Sequence, residues 1–497
     1  MNIPSRHAGF LYTVGQVRRI EHAAAERCGI AGMELMQRAA AAAFDALRRR
    51  WPQARRIVLL AGDGNNGGDA FVLGRLALDA DFTVDAVALS PNSKGDARQA
   101  RAEFIRGGGQ VHIAESATAL PDADVCVDGL FGLGLKRPIE GVAAALVKQI
   151  NAHAGRVLAL DVPSGLDADS GARNGPCVRA DLTVSFIGWK RGLFTADASD
   201  VCGLRELSRL DLPPQAFEGI DADARLLDAN IDRLLPPRRA NVNKSTFGHV
   251  LVLGGDEGFG GAVRLAGEAA LRCGAGLVSI ATRREHVMAL NAARPELMAR
   301  GIDDAIALEP LLARASVIAA GPGLGQQDWG RALLAAVFTT SRPMVVDADA
   351  LNLLAQAPHA LSGSAVMTPH PGEAARLLGC DVASVQRDRF AAACQLAERY
   401  AAVVVLKGAG SLVANPAGRV EVCPWGNPGM ASAGMGDVLT GVVAALLAQG
   451  LDPWDAARLG VALHSRAGDI AAAEAPRGLV AGDLLPILRR LANGVAA

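Results

Sequence analysis

The sequence predicts an α/β protein of two consecutive domains, each with a mostly parallel β-sheet. Short runs of β-branched residues alternate with alanine- and leucine-rich helical stretches, which is typical of parallel sheets covered by helices. The chain has 497 residues and 50% of them are hydrophobic, which is more than one core accommodates. A polar, proline-containing segment at 212–246 has little apolar periodicity and separates two sets of strands. We therefore predict domains at 1–222 and 223–497.

The predicted strands are short β-branched segments bounded by glycine, proline or polar residues. In the first domain they are 57–61, 84–89, 125–128, 157–161 and 182–186. In the second domain they are 250–253, 277–281, 317–320, 344–347, 365–368, 403–407 and 420–423. The predicted helices include 38–47, 71–78, 263–273 and 438–447. We expect the last of these to be buried, because it is apolar on every side.

The composition excludes several classes of partner. The formal net charge is -1, from 50 basic and 51 acidic residues, so the chain lacks the basic excess of a nucleic-acid-binding protein. The longest apolar helical run, 441–451, is too short to cross a bilayer, and residues 1–10 contain no signal-peptide core. The 8 cysteines form no CxxC pair, which favours reduced thiols over disulfides or zinc. We expect a cytoplasmic protein with no nucleic-acid or membrane partner.

In the first domain, glycine-flanked polar residues follow three predicted strands. Because the carboxyl ends of parallel strands meet at one edge of a sheet, we expect these residues to lie close together. Asn66, Asp128 and Ser164 offer oxygen ligands for one weakly held cation. Asp161 and Lys136 are then free for acid–base chemistry on a small ligand. Taken singly, an acidic residue at a strand end is more often a helix cap or a turn residue. Three polar strand ends in one domain together favour a ligand-binding site.

In the second domain, the most informative segment is 427–441, where Gly434-Met435-Gly436-Asp437 leads into the apolar run 438–447. A glycine-rich turn at a helix N-terminus presents unpaired N–H groups and the positive end of the helix dipole, which stabilise an anion. Asp437 is placed to take a proton from a hydroxyl that is being phosphorylated. A lone motif of this kind is more often a capped core helix.

Other glycine loops follow strands of the second domain, at 254–262, 321–325, 368–373 and 407–411. Lys407, followed by small residues, suits contact with nucleotide phosphates. His370 alone would more often be a structural histidine, but two flanking prolines hold it toward the rim of the sheet. Asp347 and Asn352 are either polar ligands or helix caps.

The loops at 62–69, 125–138 and 161–165 resemble the NAD(P)H-hydrate epimerase domain, over residues 10 to 220 approximately. The resemblance implies a Rossmann-like three-layer sandwich and potassium bound at Asn66, Asp128 and Ser164. It also implies substrate contacts at Asn65, Asn66, Gly67, Gly68, Asp69, Gly132, Leu133, Gly134, Leu135, Lys136, Arg137, Pro138 and Asp161. The chain departs from the family pattern at Ala70, where glycine is usual, and at Leu133, where a small polar residue is frequent.

The segments 244–248, 260–262, 321–325, 368–373 and 427–441 resemble the ribokinase-like superfamily, and more closely its ADP-dependent NAD(P)H-hydrate dehydratases. This resemblance covers residues 223–490 approximately and implies a second three-layer sandwich. It implies hydrate contacts at Ala262, Gly323, His370 and Asp437, and adenine-nucleotide contacts at Lys407, Gly408, Ala409, Gly410, Ser411 and Gly436. Met435 departs from the serine or threonine that is usual there.

Together the two resemblances imply a bifunctional metabolite-repair enzyme that works as a homo-oligomer. Its substrates would be the hydrates NADHX and NADPHX, whose R- and S-epimers the first domain interconverts with potassium. The second domain would dehydrate the S-epimer with ADP and magnesium, giving AMP and phosphate. Asp161, Lys136 and Asp437 would be catalytic. The residues themselves distinguish neither ADP from ATP nor NADHX from NADPHX. The alternative is a ribokinase-like vitamin-precursor kinase with a non-catalytic ligand-binding domain.

Overall fold

The computed structural model describes residues 9–115, 119–135, 137–173, 175–361 and 363–495. The chain divides into two compact units, Met1–Arg225 and Leu226–Ala497. This junction lies inside the polar segment, shortly after the predicted boundary at 222. Within the described ranges, no helix has both the length and the apolar character needed to cross a bilayer.

The first unit alternates strands and helices, as the sequence predicts. Its strands are β1 (Phe10–Tyr12), β2 (Arg56–Ala61), β3 (Thr83–Ala88), β4 (Gln110–Ile113), β5 (Val125–Gly129), β6 (Arg156–Leu160), β7 (Leu182–Phe186), β8 (Trp189–Lys190), β9 (Leu204–Ser208) and β10 (Ala224–Leu226). Its helices are α1 (Val14–Cys28), α2 (Gly32–Arg50), α3 (Asn65–Asp79), α4 (Asp96–Arg106), α5 (Gly141–Ala152) and α6 (Ala198–Val201).

The main sheet of the first unit has the strand order β4-β3-β2-β5-β6-β7-β9, with every neighbouring pair parallel. β4 and β9 lie at its edges, are partly exposed and were not predicted, because edge strands lack a continuous apolar run. β1 pairs with β8 and, in the antiparallel sense, with β10.

Helices cover both faces of this sheet. On one face, Ile57 and Leu59 belong to an apolar cluster with residues of α1 to α4. On the other face, Val58 and Leu60 pack in a cluster with Leu146 and other residues of α5. Alternate residues of β2 therefore point into separate cores, which explains why the strand is apolar throughout rather than alternating. The predicted three-layer arrangement is confirmed.

The second unit has the same alternation. Its strands are β11 (His249–Leu253), β12 (Leu277–Thr282), β13 (Met298–Gly301), β14 (Val317–Ala320), β15 (Met344–Val346), β16 (Ala365–Met367), β17 (Val403–Leu406), β18 (Leu412–Ala414) and β19 (Val420–Val422). Its helices are α7 (Gly260–Arg272), α8 (Val287–Ala293), α9 (Ala305–Arg314), α10 (Asp328–Phe338), α11 (Ala348–Gln356), α12 (Pro371–Leu378), α13 (Val382–Arg387), α14 (Arg389–Tyr400), α15 (Met435–Ala448), α16 (Pro453–Ala471) and α17 (Leu484–Leu491).

These strands lie in the order β13-β12-β11-β14-β15-β16-β17-β18-β19. Pairing is parallel from β13 to β17 and antiparallel from β17 to β19. Val250 and Val252 belong to the core under α7, α15, α16 and α17. Leu251 and Leu253, which point to the opposite face, are equally buried. This unit is therefore also a three-layer sandwich, and the fold class predicted from the sequence is confirmed.

Helix α15 is the central helix of the second unit. Its residues from Val438 to Leu447 are all buried, as the apolar run predicts. It packs closely on α7, because a Cβ atom at Gly441 would lie 2.0 Å from the carbonyl oxygen of Ala266. The two backbones meet only because position 441 has no side chain. This contact fixes the height of the helix and hence the position of Asp437 in its first turn.

We predict that Gly441→Ala destabilises the second unit by about 1–3 kcal/mol, because the added methyl group forces α7 and α15 apart. In an unconstrained helix the same change stabilises by about 0.5–1 kcal/mol, so the sign of the effect is informative. Chemical denaturation followed by tryptophan fluorescence measures it.

The control is Gly482→Ala, since a Cβ atom at Gly482 would meet nothing within 4 Å. It should change stability by less than about 0.5 kcal/mol. A Gly441→Ala protein as stable as the unmodified chain would contradict the close-packing argument.

Candidate active sites

The first unit has a cleft of about 880 Å³ at the carboxyl ends of β2, β5 and β6. The predicted substrate residues that line it are Asn65, Asn66, Asp69, Gly132, Leu133, Gly134, Leu135, Arg137 and Asp161. Gly67 and Gly68 are buried in α3. Pro138 is exposed in the loop that follows β5. Lys136 lies outside the described residues. Strand ends that are distant in sequence thus meet in one cleft.

The asparagine- and glycine-rich segment after β2 is the first turn of α3 rather than a loop. The helix begins at Asn65, with Gly64 as its N-cap, although the sequence predicted its start at 71. A Cβ atom at Gly67 would lie 2.0 Å from the carbonyl oxygen of Gly62, so the close approach of helix and strand requires glycine there. The free amides of this turn and the positive helix end therefore open onto the cleft.

The departure at Ala70 is accommodated by its neighbour. Ala70 is fully buried, and a Cβ atom at Gly129 would lie 2.7 Å from the Ala70 methyl group. The missing side chain at 129 therefore makes room for the one at 70, and the start of α3 stays helical.

Asp161 lies in the turn after β6 with a φ of 66°, a left-handed conformation that is unusual for a residue other than glycine. Its Oδ1 atom accepts hydrogen bonds from the Phe186 N–H at 3.1 Å and from the Ser185 hydroxyl at 3.3 Å. The ammonium group of Lys190 donates to the same oxygen. A strained backbone conformation persists only where the surrounding structure enforces it, and such residues are frequent in active sites.

Lys190 is the lysine that contacts Asp161, and the sequence analysis missed it. It lies in β8, its side chain is only 1% exposed, and it also donates to the Phe186 carbonyl at 2.8 Å. The sequence analysis assigned Lys136 to this acid–base role. Lys190 is 29 residues from Asp161 and follows no glycine motif, so spacing alone did not reveal the pair.

Three further carboxyl groups line this cleft: Asp63, Asp69 in α3 and Glu21 in α1. Burial raises the pKa of Asp69 well above its usual value, and the negative charges of Asp161 and Glu21 add to the effect against the opposing charge of Lys190. Burial also raises the pKa of Glu21. Glu21 was not predicted, because α1 precedes every motif in the sequence. The cleft therefore contains four carboxyl groups and a buried lysine.

The residues predicted to bind a cation meet in one hydrogen-bond network. The Ser164 hydroxyl donates to Asp128 Oδ1 at 2.6 Å, and its oxygen accepts the Phe131 N–H at 2.9 Å. The Asn66 amide donates to the Phe131 carbonyl at 3.0 Å. Asp128 is 0% exposed, and burial raises the pKa of its carboxyl to about 6. A buried carboxylate among neutral oxygens suits a monovalent cation, which would supply the missing positive charge.

In the second unit, Asp437 lies in the first turn of α15, and the N-cap Gly434 has a φ of 86°. A glycine cap offers no side chain to the first-turn amides, so these remain available to an anion. Burial raises the pKa of Asp437 to about 7, the charge of Asp347 adds to the effect, and Lys407 opposes it. Asp437 is therefore poised to accept a proton near neutral pH.

Lys407 is the positive charge of this site. Its ammonium group lies 2.8 Å from Asp347 Oδ1 and 3.9 Å from Glu373 Oε2. Burial lowers the pKa of Lys407, but the two carboxylates outweigh burial, and the net shift is upward. A Cβ atom at Gly436 would lie 3.2 Å from this ammonium group, so glycine lets Lys407 approach the start of α15. Lys407 and Gly436, predicted to contact the nucleotide, thus lie together.

Asp347 is a site residue rather than a side-chain cap. Its Oδ2 atom accepts the Thr440 hydroxyl at 2.8 Å, while Oδ1 faces Lys407. It is almost fully buried and makes no side-chain cap to α11. Of the two alternatives that the sequence left for Asp347, the structure favours the polar ligand. Asn352 instead donates to Asp349 within α11 and accepts a hydrogen bond from Arg376 in α12.

His370 forms a capping box with Glu373 at the start of α12. Its Nδ1 atom accepts the Gly372 N–H at 3.0 Å, and its Nε2 atom lies 3.3 Å from Glu373 Oε1. Burial lowers the pKa of His370, with Lys407 and Arg376 adding to the effect. Burial raises the pKa of Glu373 to about 7. Both ring nitrogens serve the helix end, while half of the side chain stays exposed for contact with a ligand.

The remaining predicted residues lie in loops around this cluster. Ala262 lies in the first turn of α7, and Gly323 has a φ of 57° and packs under Phe259. The loop Gly408, Ala409, Gly410 and Ser411 follows Lys407, and the Ser411 hydroxyl donates to the Gly408 carbonyl at 3.0 Å. Arg389, which the sequence analysis missed, is buried and donates to the Lys407 carbonyl at 3.2 Å, which supports that loop.

The departure at Met435 has a structural explanation. Its side chain is buried in the apolar core of the second unit rather than directed at the anion site. Phosphate binding at this turn would therefore depend on backbone amides.

Comparisons with known proteins agree with this division of the chain. Residues 32–192 match the family described as "YjeF-related protein N-terminus", and residues 250–490 match the family described as "NAD(P)H-hydrate dehydratase". The chain is 47% identical to a Coxiella burnetii protein named "Bifunctional NAD(P)H-hydrate repair enzyme Nnr", over 97% of this chain and 99% of that protein. An Escherichia coli protein of the same name is 42% identical, over 96% and 93% of the two chains.

A solved structure also resembles one half of the chain. It is a ribokinase-like superfamily protein from Enterococcus faecalis, 28% identical, with a TM-score of 0.52. It matches 55% of this chain and 96% of its own chain.

Proposed function

The chain belongs to the family of bifunctional NAD(P)H-hydrate repair enzymes, and we propose that its two units catalyse consecutive steps of that repair. The first unit would interconvert the R- and S-epimers of hydrated NADH or NADPH. The second unit would dehydrate the S-epimer with ADP, giving NAD(P)H, AMP and phosphate. The observation that supports this most strongly is that the chain matches the repair enzymes over nearly their whole length. Each of its two units also contains a cluster of acidic residues around a lysine, at the strand ends that the sequence motifs mark.

Epimerisation needs a base that takes a proton from the water molecule that adds to the hydrated carbon. The hydroxyl group at C6 of the ring lies beside the ring nitrogen, whose lone pair can expel it. Water then returns on the other face and loses a proton to a base. Asp161 is the base that we propose, because Lys190 and two neighbouring donors hold its carboxylate in place at the cleft.

Potassium is the cation that we propose for the network of Asn66, Asp128 and Ser164. It would supply a positive charge beside the buried Asp128 carboxylate. Asn66 and Ser164 already form hydrogen bonds with the backbone of Phe131. A cation bound beside Asp128 would stabilise this network and so hold the Phe131 segment at the cleft.

Dehydration requires activation of a poor leaving group. Asp437 accepts the hydroxyl proton as the oxygen attacks the terminal phosphate of ADP, and the amides at Gly434–Gly436 stabilise the developing charge. The ring nitrogen then expels phosphate, and loss of a proton from C5 restores the reduced nicotinamide. Lys407 lies beside this turn and balances negative charge.

Magnesium would reach this site with the nucleotide. Within the described ranges, no group of three or more His, Cys, Asp or Glu side chains is placed to hold a metal ion. Mg²⁺ is usually bound through substrate phosphates and one or two carboxylates rather than by a cage of protein ligands. It would supply charge neutralisation at the transferring phosphate.

We also propose that the enzyme is a homo-oligomer and works in the cytoplasm. The family resemblance supports the first proposal, and 8 cysteines without any CxxC spacing support the second. Light scattering coupled to size-exclusion chromatography tests the oligomer.

The two activities should be separable by two isosteric substitutions. Asp161→Asn should lower epimerisation by about 100-fold or more, because the base is lost, and leave dehydration of the S-epimer intact. Asp437→Asn should do the reverse. The measurement is the return of reduced-nicotinamide absorbance, with phosphate release, from mixed NADHX epimers given ADP, magnesium and potassium.

Return of the full signal by the unmodified chain establishes both steps. Return that stops when the S-epimer is consumed would reduce the first unit to a binding module. No return with ADP or ATP would reject hydrate repair and favour the kinase alternative, which leaves a stable phosphorylated product.

Dehydration should depend on pH through Asp437. Its pKa is raised to about 7, and a base acts in its ionised form, so kcat/KM should rise with pH through neutrality. Well below that pKa the activity should fall about tenfold per pH unit. Initial rates with pure S-epimer measure this dependence. A rate that is flat across neutral pH would show that Asp437 is not the base that limits the reaction.

Epimerisation should need potassium. Replacing K⁺ by tetramethylammonium should slow epimerisation and remove about 1–3 kcal/mol of stability from the first unit, as expected for loss of a bound ligand. Asp128→Asn should abolish both responses to K⁺. An ion response that survives Asp128→Asn would place the cation elsewhere.

A further inference from the structure

The cleft of the first unit contains a second carboxyl group with the attributes of a catalytic residue. Asp69, in α3, lines the same cleft as Asp161 and Lys190. Within the described ranges, no residue donates a hydrogen bond to its carboxyl group. Burial and the charges of Asp161 and Glu21 raise the pKa of Asp69 well above its usual value, against the opposing charge of Lys190. The cleft thus offers one buried carboxyl group without a hydrogen-bond donor and, at Asp161, one that is held by three donors.

Asp161 has one oxygen free for the reaction. The Phe186 N–H, the Ser185 hydroxyl and the Lys190 ammonium group all donate to Oδ1. No donor within the described ranges reaches Oδ2. Since the residue lines the cleft, Oδ2 is the atom that can accept a proton there. The three donors fix the carboxylate, so its direction is set by the protein.

The two carboxyl groups come from opposite sides of one strand. α3 follows β2, Asp161 follows β6, and β5 lies between these strands in the sheet. Two strand spacings separate β2 from β6 by about 10 Å. For comparison, the two carboxyl groups of inverting glycosidases flank a sugar ring with room for a water molecule when they are about 6.5–9.5 Å apart.

We propose that Asp69 and Asp161 are a catalytic pair, with one carboxyl group on each face of the hydrated ring and one proton shared between them over the cycle. This inference rests on the proposed epimerase function of the first unit. Asp161 is already assigned as a base, and the new element is Asp69 as its acid partner.

The chemistry balances with the groups present. The C6–O bond breaks as Asp69 gives its proton to the departing oxygen, which leaves as water, and the ring-nitrogen lone pair forms an N1=C6 double bond. A second water attacks C6 from the other face and loses a proton to Asp161. The double-bond pair then returns to N1. Proton exchange with solvent then returns a proton to Asp69 and removes one from Asp161 before the next turnover. In the reverse direction the two carboxyl groups exchange roles, as microscopic reversibility requires.

Lys190 and Glu21 are positioning residues in this scheme. Lys190 contacts Asp161 and holds its carboxylate in place, while the negative charge of Glu21 raises the pKa of Asp69. The other charged or titratable side chains of the cleft are Arg18, His22, Asp63, Lys94 and Arg137.

Oxygen exchange in the unmodified chain tests the pair without any substitution. R-NADHX is epimerised in ¹⁸O-labelled water, and the S-epimer is examined by mass spectrometry at low conversion, with the spontaneous reaction subtracted. Two carboxyl groups on opposite faces use two water molecules, so nearly every S-epimer molecule should contain ¹⁸O. Product that mostly retains ¹⁶O would mean that one water crosses the ring, and it would overturn the proposal.

Asp69→Asn in the full chain is the second test, since it keeps the shape of the side chain and removes the proton. Epimerase kcat should fall by about 100-fold or more, while KM stays within about threefold. The control is Asp79→Asn in the same helix, where the carboxylate is exposed and pairs with Arg75. It should leave epimerisation unchanged.

Dehydration of the S-epimer by the same Asp69→Asn sample shows that the protein has folded. A kcat equal to that of the unmodified chain would reject Asp69 as the acid. Failure of the unmodified chain to epimerise would instead reject the proposed function, so the two failures are distinguishable. If Asp69→Asn does not fold, oxygen exchange still tests the proposal, because retained ¹⁶O would overturn it.

Discussion

Each unit places one lysine, largely removed from water, against more carboxyl groups than it can neutralise. The lysine is Lys190 in the first unit and Lys407 in the second, and each lies at the carboxyl ends of parallel strands. Ionising every carboxyl group in such a place would leave buried negative charge without a partner. Burial therefore raises the pKa of Asp69 in the first unit and of Asp437 and Glu373 in the second, against the opposing charge of the lysine. Acid–base chemistry at neutral pH follows from this imbalance.

The backbone makes these charged clusters possible by bringing elements unusually close. At Gly67 and Gly441 a side chain would collide with a neighbouring carbonyl oxygen, and at Gly436 it would crowd the ammonium group of Lys407. The glycines thus act mainly through packing: Gly67 lets α3 begin directly after β2, and Gly441 and Gly436 let α15 approach α7 and Lys407. The helix then supplies free amides and a positive dipole end, while its later turns are anchored in the apolar core.

Much of the candidate site was predictable where residues end strands. In a parallel sheet all carboxyl ends lie at one edge, so Asn66, Asp128 and Ser164 were expected to meet, and they do. Asp437 was recognisable because a glycine turn precedes an apolar run. The prediction was less accurate for the glycine-rich segments themselves, several of which are first turns of helices. Glycine disfavours helix in isolation, and here tertiary contacts outweigh that preference.

The sequence by itself determined the alternation of strands and helices, the parallel sheets and the residues at the strand ends, because these follow from local periodicity and from the rule that parallel strands end together. Only the tertiary structure decided which charged groups face each other. Lys190 reaches Asp161 from β8, Glu21 enters the cleft from α1, and Lys407 turns to Asp347. The pKa shifts that set the chemistry arise from burial and from these neighbours, and neither is encoded in any local stretch of sequence.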